Sequence, residues 1–566
     1  MLMNPKTETF AHLDPASREI MRKTVDFFET KGKKRLLADY HERTWYEDFI
    51  EFLKESGVFA TLLTPAAYAQ GDADTRWDTF RNCDFNEILA FYGLPYWYAW
   101  QVTILGLGPI WMSRNAAVKE KTAGLLRRGG IFAFGLSEKA HGADLYSSEM
   151  SLTPLSEGRY VADGGKYYIG NGNRAALVST FGKNSETGDY VFFVVEPAHP
   201  NYELVKNVVD WQGYVAEFAL QSYPITDGDI LSTGREAWDA ALNTVNVGKF
   251  NLGWASIGIC THAFYEAVAH AAGRVLYGRA VTEFPHIQQL FTDACARLAA
   301  MKMFSARAAD YMRSASLKDR RYLLYNPLVK MKVTTQGEEV INLLWDVIAA
   351  RGYEKDVYFS AAAVEIRSLP KLEGTVHVNM ALVVKFMANY FFNPAPFPEI
   401  PRRDDPADDA FLFDQGPTKG LGKIRFHDYR IAYDSVDLPN VQIFRAQIDA
   451  LKEMLMSASP EGDQVRDIDF LLSLGELFSL VAYGQLIIEK ARMDDVPGYL
   501  LDQIFDFMVR DFSKFALQVY SKTSSTEKQM EHCLSMIRKP DVSRVHFREV
   551  WEKHVLALKG AYEMNP

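Results

Sequence analysis

Tyr160-Val161-Ala162-Asp163-Gly164-Gly165-Lys166-Tyr167-Tyr168-Ile169-Gly170-Asn171-Gly172 decides how this chain folds. Two short runs rich in aromatic and β-branched residues flank an Asp-Gly pair, a dipeptide suited to a tight hairpin turn. Working outward, Tyr190-Val191-Phe192-Phe193-Val194-Val195 follows a polar turn at 184–189, and Glu217-Phe218-Ala219-Leu220 adds another extended segment. Residues 131–245 therefore read as a small β-domain.

On either side the hydrophobic period becomes helical. Asp14-Pro15 is an N-cap with proline in the first turn, and Ile20, Met21, Val25 and Phe28 follow at helical spacing. This opens a helical domain covering 1–130. Its longest apolar run, Val102 to Met112, is too short to cross a bilayer and reads as a buried helix. Residues 246–392 hold few prolines and long apolar stretches, the pattern of a helical bundle. Residues 393–424 then carry six prolines and the acids Asp404, Asp405, Asp408 and Asp409, which reads as a linker or a surface strap. Beyond it, Val441, Phe444, Ile448, Leu451 and Leu455 keep helical spacing, so 425–566 reads as a second helical unit. The fold class is mostly α with a central small β-domain.

The chain of 566 residues exceeds one ordinary core, so two to four domains are expected. A net charge of −10 with no concentrated basic face argues against nucleic acid as a partner. Cys83, Cys260, Cys295 and Cys533 have no metal-ligand spacing, and neither do His262, His270 and His286, so no metal is expected. Reduced thiols and a start, Met1 to Lys6, without the apolar run of a signal peptide suggest a cytoplasmic protein with no membrane span.

Leu372-Glu373-Gly374-Thr375 sets a carboxylate at a helix-to-loop bend, where a base can face a ligand. Alone, these residues read as an ordinary surface glutamate. Two upstream segments give them weight: Phe134-Gly135-Leu136-Ser137-Glu138-Lys139-Ala140-His141-Gly142-Ala143-Asp144, and the stretch 163–172 quoted above. In this order the three segments resemble the acyl-CoA dehydrogenase family. The succession of helical domain, β-domain and bundle is that family's architecture over roughly residues 15–392. The C-terminal helical unit is similar to that of the family's longer members.

The resemblance implies an FAD-dependent dehydrogenase that converts an acyl thioester, carried by coenzyme A or a carrier protein, to its trans-2-enoyl form. Such chemistry needs a base for a weakly acidic α-proton, donors for the thioester carbonyl and a hydride acceptor, for which a flavin is suited. By resemblance Glu373 is the catalytic base, its N–H and Gly374 adjoin the thioester, and Thr375 contacts the flavin nucleotide. Phe134, Leu136 and Ser137 match the flavin-contacting strand, with Ser137 in place of the usual threonine. His141 and Ala143 lie in the loop facing the substrate arm, Ala143 replacing a serine. Tyr168 stands for the tryptophan covering the flavin ring, and Gly170 for a threonine that donates to it. Arg274, Tyr277 and Gln288 match a helix pair that reaches the flavin nucleotide of a neighbouring subunit, which implies a homodimer or larger homo-oligomer. Asp346, Ala350 and Gly352 stand where relatives bind the flavin pyrophosphate. Phe91, Tyr92, Tyr96, Trp97, Tyr98 and Trp100 fall where relatives line the acyl pocket, yet read first as core. Electron transfer flavoprotein is the implied acceptor. Two other readings stay open: a flavin oxidase or monooxygenase on the same scaffold, and a non-catalytic binding or assembly homologue.

Overall fold

In the computed structural model, which describes residues 2–566, the first long helix begins where Asp14 caps it, accepting from the Ser17 amide at 3.1 Å, and runs Pro15–Lys31. Chain contacts define two compact units, one built on Thr9–Asn251 with Asp404–Lys419, the other on Leu252–Arg403 with Gly420–Glu563.

The first unit has the helix Leu94–Met112 as its spine, buried along nearly its whole length. The aromatic cluster is core here: Trp97 and Trp100 both donate to the buried Asn86 Oδ1, at 2.7 and 3.1 Å. Against this helix lies a sheet of eight strands: β1 (Phe132–Gly135), β2 (Ser151–Ser156), β3 (Arg159–Gly170), β4 (Leu177–Asn184), β5 (Tyr190–Val195), β6 (Tyr202–Asn207), β7 (Val215–Thr226) and β8 (Ile230–Thr233). The order is β6-β7-β3-β2-β4-β5-β8, with β1 parallel to β4. The sheet ends at Thr233 and the helix Gly234–Lys249 follows. A Cβ on Gly106 would come within 2.6 Å of the Ala133 nitrogen, so a glycine there lets β1 lie directly on the spine.

The turn expected at Asp163-Gly164 is a bulge instead. β3 runs straight through it, because residues on both sides pair with β7 (Ala162 with Tyr223, Gly164 with Leu220), and Asp163 Oδ1 accepts from the displaced Ser222 amide at 2.7 Å. The chain reverses earlier, where Gly158 at φ +70° lies between paired Ser156 and Arg159.

The acidic strap has a use. Asp408 and Asp409 accept from the amides of Trp77 (3.0 Å) and Thr79 (2.6 Å), donors at the start of the helix Thr79–Tyr92, while Phe413 packs edge-on against Trp77.

In the second unit, the helix Pro285–Arg313 is joined to the C-terminal helices Ile468–Met493 and Gly498–Tyr520 by buried ion pairs. Arg297 grips Asp511 with two bonds at 2.9 and 3.1 Å, and Arg307 reaches Glu489 at 2.9 Å. Ile468–Met493 is the one helix among the described residues long and apolar enough to cross a membrane, and 83% of its most apolar window is buried inside the protein.

Candidate active site

On the β-domain, β1 delivers Phe134, Leu136 and Ser137 from a buried strand into a half-buried turn. The Ser137 hydroxyl donates to the Tyr167 carbonyl at 2.7 Å, and the Tyr167 amide returns a bond to Ser137 O at 3.0 Å. The serine that replaces threonine thus fastens this turn to β3. Lys166, fully buried, donates to Leu136 O at 3.0 Å and to Glu138 Oε1 at 2.7 Å. Burial pushes the Lys166 amine down to about 8 against the pull of Glu138. Burial opposes ionisation of Glu138 too, but Lys166 and the donors around it hold that carboxyl down at about 2, so the pair is ionised at neutral pH.

Glu138 also accepts from Ser148 Oγ (2.6 Å) and from the amides of Glu149 (2.7 Å) and Met150 (3.2 Å), closing the loop that holds His141 and Ala143. His141 Nε2 lies 3.4 Å from Glu149 and Ala143 is exposed. Glu138, His141 and Glu149 lie close enough to share an ion. Glu138, however, is spent on an ammonium and on loop donors.

Tyr168 projects from β3 with 64% of its surface exposed and φ +62°. Gly170, two residues on, has no room for a side chain: a Cβ would meet Val102 Cγ2 at 2.6 Å and Tyr98 Oη at 2.7 Å. Asn171, buried at φ +60°, pins the platform to the spine by donating to Ala99 O and Phe132 O, each at 3.0 Å.

On the bundle, the helix Asn251–Gly273 leads through exposed Arg274 into a small hairpin, β9 (Val275–Leu276) and β10 (Arg279–Ala280). Its tip is Tyr277-Gly278, both at positive φ (+52° and +78°) as a two-residue hairpin loop requires, and Tyr277 is 94% exposed. Gln288 is tied into the hairpin's base, donating to Thr282 O at 3.0 Å. Asp346 is exposed near the end of the helix Thr334–Ile348, after which Ala349 (φ +56°, ψ −139°) breaks the helix and exposed Ala350 follows. Gly352 is a packing requirement, since a Cβ would meet the Trp345 ring at 2.9 Å. The residue that motif reading missed is Arg351, whose guanidinium lies 3.1 Å from His270 Nδ1. Burial, then Arg351 and Arg274, push the His270 imidazole down against the pull of Glu354, which lies 3.8 Å from Arg351.

Glu373 occupies a turn between the helices Phe359–Ser368 and Val376–Val383. Glu373 and Gly374 are consecutive left-handed residues, φ +51° and +85°. Thr375 caps the second helix, its Oγ1 accepting from the Val378 amide at 3.4 Å. Two buried side chains hold the turn. Lys330 donates to Pro370 O and Gly374 O, each at 2.6 Å, and Asn379 donates to Gly374 O and Thr375 O at 3.1 and 3.0 Å. Of the ten described non-glycine residues at positive φ, Tyr168, Asn171, Tyr277, Ala349 and Glu373 fall in the segments read as functional. Such strain costs on the order of 1–3 kcal/mol per residue and persists where surrounding structure imposes it, as at ligand sites.

Comparison with known proteins gives the chain's likenesses. Residues 236–388 match the family model "Acyl-CoA dehydrogenase, C-terminal domain". A short-chain specific acyl-CoA dehydrogenase of Megasphaera elsdenii is 24% identical over 310 residues, 53% of this chain and 79% of that one. A 3-(aryl)acrylate reductase of Clostridium sporogenes is 23% identical over 378 residues, 64% and 97% of the two chains. The crystal structure of an acyl-CoA dehydrogenase complexed with FAD from Bacillus anthracis superposes with a TM-score of 0.75 at 16% identity, covering 98% of this chain and 97% of that one. This chain therefore shares that fold through its C-terminal helices as well. Over residues 236–388 it matches the acyl-CoA dehydrogenase C-terminal domain, and over its whole length it has the fold of such a protein.

Proposed function

We propose that this protein is an FAD-dependent oxidoreductase that introduces a Cα–Cβ double bond into an acyl thioester, with Glu373 as the base. One observation carries the reading: the backbone of Glu373 is held in a costly left-handed conformation, on a turn fastened by buried side chains, at the position of the family's base. The Glu373 carboxylate takes the α-proton, and the Glu373 N–H stabilises the developing enolate by donating to the thioester carbonyl. FAD, when bound, would supply the acceptor for the β-hydride.

The residues present fit such a cofactor. The exposed guanidiniums of Arg274 and Arg351, the latter 3.8 Å from Glu354, both act on His270 and are suited to phosphate, and the exposed Tyr168 ring offers a stacking face. Thr375 and the backbone around Ala350 and Gly352 are further nucleotide contacts by family position. The exposed Asp346 carboxylate suits a sugar hydroxyl rather than a phosphate. The exposed hairpin tip at Tyr277 supports a homo-oligomer, and electron transfer flavoprotein is the proposed acceptor.

A second reading, an oxidase on the same scaffold, is favoured by Gly170, which supplies no side-chain donor to the flavin. Anaerobic mixing of purified protein with short-, medium- and long-chain acyl-CoAs tests the main reading by bleaching of the flavin, and the rate at which oxygen restores the colour separates the two. Glu373→Gln should still bind FAD and thioester but bleach roughly 10²–10⁴ times more slowly. Bleaching near the wild-type rate removes Glu373 from the role.

A further inference from the structure

The segment Val329–Val333 is a π-helical turn set between the helices Tyr322–Leu328 and Thr334–Ile348. Such turns are rare and recur at functional sites, because the extra residue re-aims side chains. Here it carries two buried lysines. Lys332 lies 3.9 Å from Glu476 and 4.7 Å from the centre of the Phe515 ring, both on C-terminal helices. Lys330, two residues earlier, reaches the turn that carries Glu373. Thr334 and Thr335 donate to the carbonyls of Lys330 (2.5 Å) and Met331 (2.9 Å), satisfying backbone groups that the π-turn displaces.

The two carbonyls that Lys330 grips, Pro370 O and Gly374 O, bracket Glu373. One ammonium therefore closes the base of the loop, and Asn379 adds a second bond to Gly374 O. In a trans peptide the carbonyl and the N–H point in opposite directions, so fixing Gly374 O also fixes the direction of the Thr375 N–H. Burying an ammonium is costly unless its donors are used. Four bonds from two buried side chains converge on the short segment between Ser368 and Val376.

We propose that Lys330 and Asn379 are positioning residues that hold the Glu373–Gly374 turn in its left-handed form and so set the geometry of proton removal. This rests on the reading of Glu373 as the base. Misplacing a reacting group by about 1 Å can cost roughly 10²-fold in rate.

The test uses the full-length holoprotein and three variants: Lys330→Met, which keeps the stem and removes the ammonium, Lys330→Arg, and Asn379→Ala. Anaerobic stopped-flow reduction by the acyl-CoA panel should be roughly 10–100 times slower at saturation in Lys330→Met, with substrate affinity changed less than about threefold. Lys330→Arg should recover part of the rate. Amide hydrogen exchange over 369–380, an activity-independent readout, should speed up roughly tenfold in Lys330→Met and Asn379→Ala, while protection of the helix Pro285–Arg313 stays the same.

Wild-type reduction together with wild-type protection in Lys330→Met overturns the proposal. If Lys330→Met does not fold, Asn379→Ala decides by the same two readouts. Glu373→Gln, run alongside, separates the failures: a fast Glu373→Gln sinks the base reading, whereas a slow Glu373→Gln beside a fast, protected Lys330→Met sinks only the staple.

Discussion

The phenol oxygen of Tyr98 lies 2.7 Å from the point that a Cβ on Gly170 would occupy, and Val102 crowds the same point at 2.6 Å. The spine helix takes the volume that a side chain at position 170 would need. Gly170→Thr should therefore fail to restore a flavin donor and should overpack the core, costing about 1–3 kcal/mol. Chemical denaturation and the flavin absorbance maximum check this together. A stable Gly170→Thr with a shifted flavin spectrum would show that the helix yields.

Glu373 bears a conformation that glycine adopts without penalty. Glu373→Gly should abolish flavin bleaching yet leave thermal stability equal to wild type or higher, the relief of strain, about 1 kcal/mol, offsetting the entropy glycine loses on folding. A clear drop in melting temperature would mean that the Glu373 side chain contributes to packing beyond any catalytic task.

Lys166 and Glu138 form a buried pair that carries the loop 138–150. Removing one partner leaves the other buried without its countercharge, so Lys166→Met should cost about 3–5 kcal/mol and loosen residues 138–150, whose donors Glu138 gathers. Limited proteolysis should cut within 139–149 in the variant first. Unchanged cleavage would assign the loop's order to other contacts.

Much of this architecture was legible because local signals agree with tertiary demand. Asp14-Pro15 starts a helix in any context, and the aromatic strand runs at 160–169 and 190–195 have no stable alternative to pairing. Asp163-Gly164 misled because the dipeptide that makes a turn also makes a bulge, and only the partner strand chooses between them. The Glu373 turn could be proposed from its motif, whereas Lys330 and Asn379, which hold that turn, carry no motif at all. One signal for Lys330 was available: Leu328-Val329-Lys330-Met331-Lys332-Val333 places lysines two apart in an apolar helix, hence on nearly opposite faces, and both faces cannot be solvated in a bundle core. Tyr98 gave no such signal, because an aromatic in a buried helix does not reveal which glycine it faces.

The C-terminal helices are fastened to the bundle by carboxylates whose ionisation depends on their partners. Burial works against Asp511 and Glu489, yet Arg297 holds the first at about 2, and His427 with Arg307 holds the second at about 2, below ordinary values of 3.8 and 4.5. The folded protein therefore binds these protons less tightly than the unfolded chain. The stabilisation is complete above about pH 4.5 and is lost as pH falls towards 2. Denaturant midpoints should fall steeply across that window. Asp511→Asn should be less stable at neutral pH by about 3 kcal/mol, because buried Arg297 loses its two-bond partner and keeps only Asp293, at 3.6 Å, and its acid slope should be shallower. The same slope in wild type and variant would show that acid lability arises elsewhere, and that the Arg297–Asp511 bridge is not what holds the C-terminal helices at low pH.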